Sequence, residues 1–142
     1  MAKRKITVRL HSCGIYTDWD KDSKTLPRFR RATRRVRADV GVEFGLIVEI
    51  RGAKNYELAY CIDHPGILDE RGKRRPPFDG TVYVRKNEWL FFLGDTIWEP
   101  VEDKLGNWRL TLELDEKIVA DETFELHLDA EPSDDYTPSS SL

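Results

Sequence analysis

Between Gly41 and Ile50, apolar side chains fall on every second position: Val42, Phe44, Leu46, Val48 and Ile50. A period of two is the mark of a β-strand with one buried face, because successive side chains leave opposite sides of the pleat. The same alternation returns in 56–62 and in 108–114. Strands of this kind must bury their apolar faces against each other. The chain therefore reads as an all-β, antiparallel domain, and its 142 residues suffice for one core without covalent staples.

Composition narrows the class further. With 39% hydrophobic and 35% charged residues the chain is too apolar for a disordered protein and too interrupted for a membrane-spanning helix. No membrane partner is expected. The basic start Met1-Ala2-Lys3-Arg4-Lys5 resembles the opening of a signal peptide, but Arg9 and the alternation of Ile6, Val8 and Leu10 replace the apolar run that export needs. A cytoplasmic location is expected, and there the only two cysteines, Cys13 and Cys61, stay reduced; an inter-sheet disulfide is the open alternative. The net charge of −3 conceals +8 over residues 1–40 and −11 over residues 41–142. Either the basic beginning meets an anionic partner or it folds back on the acidic remainder.

Seven strands are expected, at 5–16, 40–51, 56–63, 81–84, 89–98, 108–114 and 118–128. In the first, Ile6, Val8 and Leu10 face inward and Gly14 marks a bulge or bend. Signals conflict over 26–39, where helical spacing of Phe29, Thr33 and Val36 competes with β-branched residues, and an extended connection is the preferred reading. Consecutive prolines, Pro76 and Pro77, make 66–80 a surface loop. The domain covers 1–129, with a basic connection near 21–39, and 130–142 forms a mobile acidic tail. Short connections and paired inner faces favour a two-sheet sandwich over a barrel or an α/β fold.

The series Gly41-Val42-Glu43-Phe44-Gly45, His64-Pro65-Gly66, Gly106-Asn107-Trp108-Arg109-Leu110 and Lys117-Ile118-Val119-Ala120-Asp121-Glu122-Thr123-Phe124 resembles an uncharacterised bacterial family of immunoglobulin-like β-sandwiches, a domain of unknown function. The resemblance spans residues 5–129 and implies an Ig-like sandwich. It implies no activity, cofactor or catalytic residue. Where that family has a short connection after its first strand, this chain carries an arginine-rich interval at 28–37.

That interval is one of two candidate binding surfaces. Arg28, Arg30, Arg31, Arg34, Arg35 and Arg37 could grip phosphates of a nucleic acid or another polyanion, with Phe29 stacking on a base; the alternative is a strand face solvated or paired with acids. Loop residues Arg71, Lys73, Arg74 and Arg75 could extend the patch. The other candidate is Trp89-Leu90-Phe91-Phe92-Leu93, apolar on both parities. Such a strand is either covered on its second face or presents that face to a partner, so Trp89, Phe91 and Phe92 are the expected protein interface, with a homodimer as its simplest form.

Chemistry finds less support. His11, Cys13 and His127 could meet at a metal only if the first and last strands are neighbours, their spacing fits no zinc pattern, and His64 before Pro65-Gly66 reads as a turn residue. The acids of Asp18-Trp19-Asp20-Lys21-Asp22-Ser23 alternate as in a calcium loop but lack its glycine and distal Glu. No nucleophile elbow or phosphate loop is present, and carboxylate pairs such as Asp63 with Asp69, or Glu99 with Glu102, arise by chance among 26 acids. Trp108 belongs to the core. The expectation is a non-catalytic interaction module without metal or cofactor, working by protein association or self-association, with polyanion binding as the alternative.

Overall fold

A computed structural model describes residues 5–17 and 25–130. Nine strands form among them: β1 (Thr7–Tyr16), β2 (Phe29–Ala32), β3 (Arg35–Arg37), β4 (Glu43–Arg51), β5 (Glu57–Asp63), β6 (Phe78–Tyr83), β7 (Glu88–Thr96), β8 (Gly106–Leu114) and β9 (Lys117–His127). They divide into a four-stranded sheet, β2-β1-β4-β7, and a five-stranded sheet, β3-β9-β8-β5-β6. The all-β two-sheet sandwich is thus what forms. Two strands more than expected arise because the 26–39 connection is itself extended and contributes β2 to one sheet and β3 to the other. All pairings are antiparallel except β3 with β9.

The alternation of β4 dictates the core. Phe44, Leu46, Val48 and Ile50 are each 0% exposed and face Trp108, Leu110 and Leu112 of β8, the central strand of the opposite sheet. Trp108 lies at the middle as expected: its ring meets Phe44 edge-on at 5.2 Å, and Phe44 meets Phe124 at 5.5 Å. Each such side chain removed from water contributes about 1.5–3 kcal/mol, and the aromatic contacts add to that.

Several boundaries shift for physical reasons. β6 starts at Phe78, immediately after Pro77, so the turn-rich interval ends sooner than expected; proline is tolerated at the entrance to an edge strand. The bulge of β1 falls at His11, between Leu10 and Ser12, instead of at Gly14. One extra residue there moves the inward parity from Val8 to Cys13 and leaves Leu10 40% exposed. Cys13 then points into the core while Cys61, flanked by Asp79 and Thr111, points outward from the other sheet. Both cysteines are free, and the inter-sheet disulfide is ruled out by their facing.

Gly14 serves a different purpose. Gly14, Gly45 and Gly94 are direct cross-strand partners, a row of three glycines running over β1, β4 and β7. A Cβ on Gly45 would lie 2.2 Å from the Leu93 carbonyl oxygen, and one on Gly14 would lie 1.9 Å from that of Arg31. Bare backbone is needed there. Tyr16 and Phe92 lean over the row from opposite sides, their rings 5.0 Å apart, and restore the packing the glycines lack. Gly45→Ala is expected to cost more than about 2 kcal/mol in urea unfolding, whereas Gly66→Ala, which would meet nothing within 4 Å, should stay within about 0.5 kcal/mol. Equal effects would remove the row's structural role.

Candidate functional site

The outer face of the four-stranded sheet departs most from a simple sandwich. Ile47 and Phe92, outward partners on β4 and β7, are each only 4% exposed. They are covered by Tyr16 and Leu26, so a second small core forms outside the sheet. The Tyr16 hydroxyl, pushed up to about 12 by burial, shares a 2.7 Å hydrogen bond with Ser12. Phe29 stacks edge-on against Tyr16 at 5.5 Å and stays 47% exposed, which gives its ring an internal partner. Beside this cover runs a groove of about 560 Å³ lined by Leu10, Leu26, Phe29, Ile47 and Leu90.

Apolarity on both parities of β7 therefore has an account within the chain. Phe92 is buried by its own fold, a correction to its expected role as an exposed interface side chain. Trp89 and Phe91 pair with Ile50 and Val48 on the inner face, half-buried against the core, their rings 5.3 Å apart. β7 is the last strand of its sheet, and among the described residues no strand pairs with its far side.

The direction of each backbone group follows from the register. Nine consecutive pairs, Glu43↔Thr96 through Arg51↔Glu88, run without a shift. Just beyond them Ile97 N–H donates to the Val42 carbonyl at 2.9 Å and Gly52 N–H to that of Asn87 at 2.8 Å. Hydrogen-bonded and non-bonded pairs alternate along an antiparallel ladder. Trp89, Phe91, Leu93 and Asp95 thus bond inward to β4, while Glu88, Leu90, Phe92, Gly94 and Thr96 turn their N–H and C=O groups outward. The Asp95 carboxylate takes the Thr96 N–H at 2.8 Å and closes that end of the edge.

The other edges are blunted. β2 has four residues and β3 three, both arginine-bearing; β6 follows two prolines and carries Asp79 and Gly80. Beyond the end of β2, β1 is bulged at His11 and carries Arg9, and the open part of β9 carries Lys117, Asp121 and Glu122. Charges, prolines and bulges are the usual devices against edge-to-edge pairing. β7 has none between Trp89 and Gly94.

The six arginines do not form one patch. Arg34 holds Glu122 through Nε and Nη2 at 2.7 and 2.6 Å, Arg35 holds Glu125 at 3.0 Å, and Arg37 holds Asp39 at 3.2 Å and donates to the carbonyls of Leu128 and Asp129. The Arg34 and Arg35 pairs tie β3 and the strand switch before it to the acidic β9. Arg28 and Arg30 are exposed, and Arg31 is half-buried. In the loop, Arg74 is engaged by Asp63 and by the His64 carbonyl. Part of the charge asymmetry is met by Arg34 and Arg35 folding against Glu122, Glu125 and Asp129.

His11 is exposed on β1 and His127 buried at the end of β9, in different sheets, and among the described residues no three ligating side chains gather around a point. The Asp18 to Ser23 loop lies outside the described residues. His64 is a turn residue: Nδ1 accepts the Ile67 N–H at 2.9 Å, leaving Nε2 to donate to the Pro76 carbonyl at 3.2 Å. Burial pushes the Cys13 thiol up to about 11 against the pull of Arg34, which keeps it protonated and unreactive at neutral pH. Asp63 and Asp69 serve Arg74 and the loop amides of Arg71 and Lys73, respectively.

Sequence reasoning missed Lys104. It is 1% exposed, with Nζ 2.7 Å from the Pro100 carbonyl, 2.8 Å from Asp103 and 4.3 Å above the Trp98 ring, and its own carbonyl receives the Trp108 indole N–H at 2.8 Å. Nothing in an Asp-Lys dipeptide before Leu105-Gly106 signals burial. Asp103 is raised by burial, but Lys104 and the Leu68 amide outweigh this and hold its carboxyl below the usual range. A depressed folded-state pKa contributes stability above the unfolded value of about 4 and loses it as pH falls through the folded one. Asp103→Asn should cost about 2–3 kcal/mol at pH 7 and flatten the loss of stability between about pH 5 and pH 3, as read by urea midpoints. An unchanged acid limb would dismiss the pair.

The sequence profile of a domain of unknown function, DUF3859, matches residues 4–126. The chain belongs to the DUF3859 family. The fold of this DUF3859 domain is similar to that of an immunoglobulin-like protein from Pseudomonas aeruginosa, with a TM-score of 0.71 at 19% identity over 89% of this chain and 100% of that one. An Ig-like sandwich is therefore shown, as the resemblance implied. Weaker likenesses are to an alkylpurine DNA glycosylase from Pseudomonas fluorescens bound to DNA, with 10% identity, 89% and 31% of the chains covered and a TM-score of 0.43, and to a CARDB domain from Pyrococcus furiosus in complex with di-metal ions, with 13%, 89%, 96% and 0.38. Those scores are too low to carry a shared fold. No curated protein matches the chain. Among the described residues no helix is long and apolar enough to cross a membrane.

Proposed function

We propose that this DUF3859 domain is a protein-association module that works by strand addition at β7. One observation carries the reading: among the described residues, β7 is the edge that lacks the protective devices the others carry, over a charge-free run from Trp89 to Gly94. An extended partner segment laid along it would meet the outward backbone groups of Glu88, Leu90 and Gly94. The half-buried Trp89 and Phe91 on one side, and Leu90, 36% exposed, on the other, would gain cover in the same step. Main-chain bonds give affinity in such complexes, and alternate side chains give selectivity.

Polyanion binding is less favoured, since Arg34, Arg35 and Arg37 each hold an acid. No reaction is proposed.

A photo-crosslinking residue at exposed Glu88, introduced in the native host, is expected to give a discrete protein adduct. The adduct should vanish with Leu90→Pro, which removes an outward N–H without touching the β4 ladder. The same probe at Thr111, on the opposite sheet, should give none. Absence of any adduct from position 88, or persistence in the Leu90→Pro variant, would defeat strand addition.

A further inference from the structure

His64 holds both limbs of the turn that follows it. Residues 67–75 form a short hairpin: Leu68 bridges Arg74, Arg75 N–H donates to the Ile67 carbonyl at 2.8 Å, and Asp69 N–H donates to that of Lys73 at 2.8 Å. At the base of this hairpin the imidazole accepts the Ile67 N–H through Nδ1 and donates to the Pro76 carbonyl through Nε2, one bond to each limb. The ring is 2% exposed and lies 5.0 Å from Phe78 and 6.3 Å from Trp108, and Ile67 is 2% exposed as well. Four basic residues, Arg71, Lys73, Arg74 and Arg75, ride on the hairpin.

These two bonds fit a neutral ring only. Nδ1 takes a proton from a backbone amide, which fixes the Nε2–H tautomer; an imidazolium carries a proton on both nitrogens and would set N–H against N–H at Ile67. Its charge would also enter a buried site whose surrounding acids are committed elsewhere. Asp63, at the end of β5, is engaged by Arg74, which also donates to the His64 carbonyl at 2.7 Å. Asp103, in the turn before β8, holds the buried Lys104 and the Leu68 N–H. Asp69 is folded onto the amides of Arg71 and Lys73. Glu70 on the hairpin, Asp79 of β6 and Glu102 are exposed, and Arg109 of β8 is held by Asp121.

From this geometry we infer that His64 is an acid-sensitive latch: on protonation it lets go of the Ile67 amide and opens the base of the basic hairpin 67–75 while the two sheets stay folded. The bond to Ile67 is present while the ring is neutral and is lost as pH falls, in the interval of about pH 8 to pH 5 where an imidazole changes charge. The sheets do not hang on the latch, because β5 and β6 pair from Ile62↔Phe78 onward without the hairpin between them. Asp103 acts later. Its carboxyl lies below the usual range, so it keeps its charge and its hold on Leu68 after His64 has released Ile67. Opening thus begins at the foot of the first limb, where Arg75 N–H rests on the Ile67 carbonyl.

Hydrogen exchange of single amides in the full chain, read by NMR and divided by the intrinsic rate at each pH, tests the latch. From about pH 7.5 to about pH 5.5, protection of the Ile67 and Arg75 amides is expected to fall about tenfold or more, one linked proton being worth up to tenfold per pH unit. The amides of Leu46 and Leu110, in β4 and β8, should keep theirs. His64→Asn, whose side-chain oxygen can accept the Ile67 N–H but gains no proton, should hold its protection level over the same interval. In the parent chain, isotope-labelled ring nitrogens should show Nδ1 without a proton at neutral pH, and the Ile67 amide shift should follow the titration of the ring. That readout needs no variant and decides the matter if His64→Asn fails to fold. A protonated Nδ1 at neutral pH overturns the inference, as does an Ile67 amide indifferent to pH. Equal loss at Leu46, which is global unfolding, or the same pH response in His64→Asn, overturns it too.

Discussion

The packing of β4 on both of its faces is the constraint from which the rest follows. Inward, Phe44 wedges edge-on between Trp108 and Phe124 and locks the two sheets in one register. Outward, Gly45 and Ile47 are covered too, so this strand meets solvent only toward its Glu49–Arg51 end. A one-residue slip would exchange Phe44 and Leu46 for Gly45 and Glu43 in the core, and the sandwich would lose its largest apolar contacts. Every neighbour is positioned by this strand: β1 and β7 by its ladders, β8 by its inner side chains, Tyr16 and Leu26 by its outer ones.

Both candidate surfaces acquire their meaning from that arrangement. The arginine segment crosses from one sheet to the other after β2, and Arg34 and Arg35 in its later half meet acids of β9, so part of the charge that looks available in the chain goes to closing the sandwich. Individually these surface pairs are worth little, about 0–1 kcal/mol each, but they hold β3 parallel to β9 and blunt that edge. Among the described residues, β7 ends the other sheet with no strand paired beyond it. Among the described residues, protection at the remaining edges and its absence between Trp89 and Gly94 of β7 is the asymmetry on which the strand-addition proposal rests.

How much of this was legible in the sequence depends on the range of the interaction. Alternation in 42–50, 56–62 and 108–114 gave strands, facing and class, because a period of two is local. The aromatic run 89–93 points to an unusual strand, either covered on its second face or turned to a partner; the structure shows cover for Phe92. The bulge at His11, the aligned glycines Gly14, Gly45 and Gly94, and the burial of Lys104 were out of reach. Each arises from register or from a contact between segments distant in the chain, and a residue type alone carries no trace of it.

The sequence by itself determined an all-β chain with paired apolar faces and a core built on Phe44 and Trp108, since strand period and side-chain polarity are properties of short stretches. Only the tertiary structure decided which strands lie at the edges, which arginines meet acids, and that the Phe92 side chain is covered. Those outcomes are set by which distant segments become neighbours, and the free energy of that choice is spread over the whole sandwich.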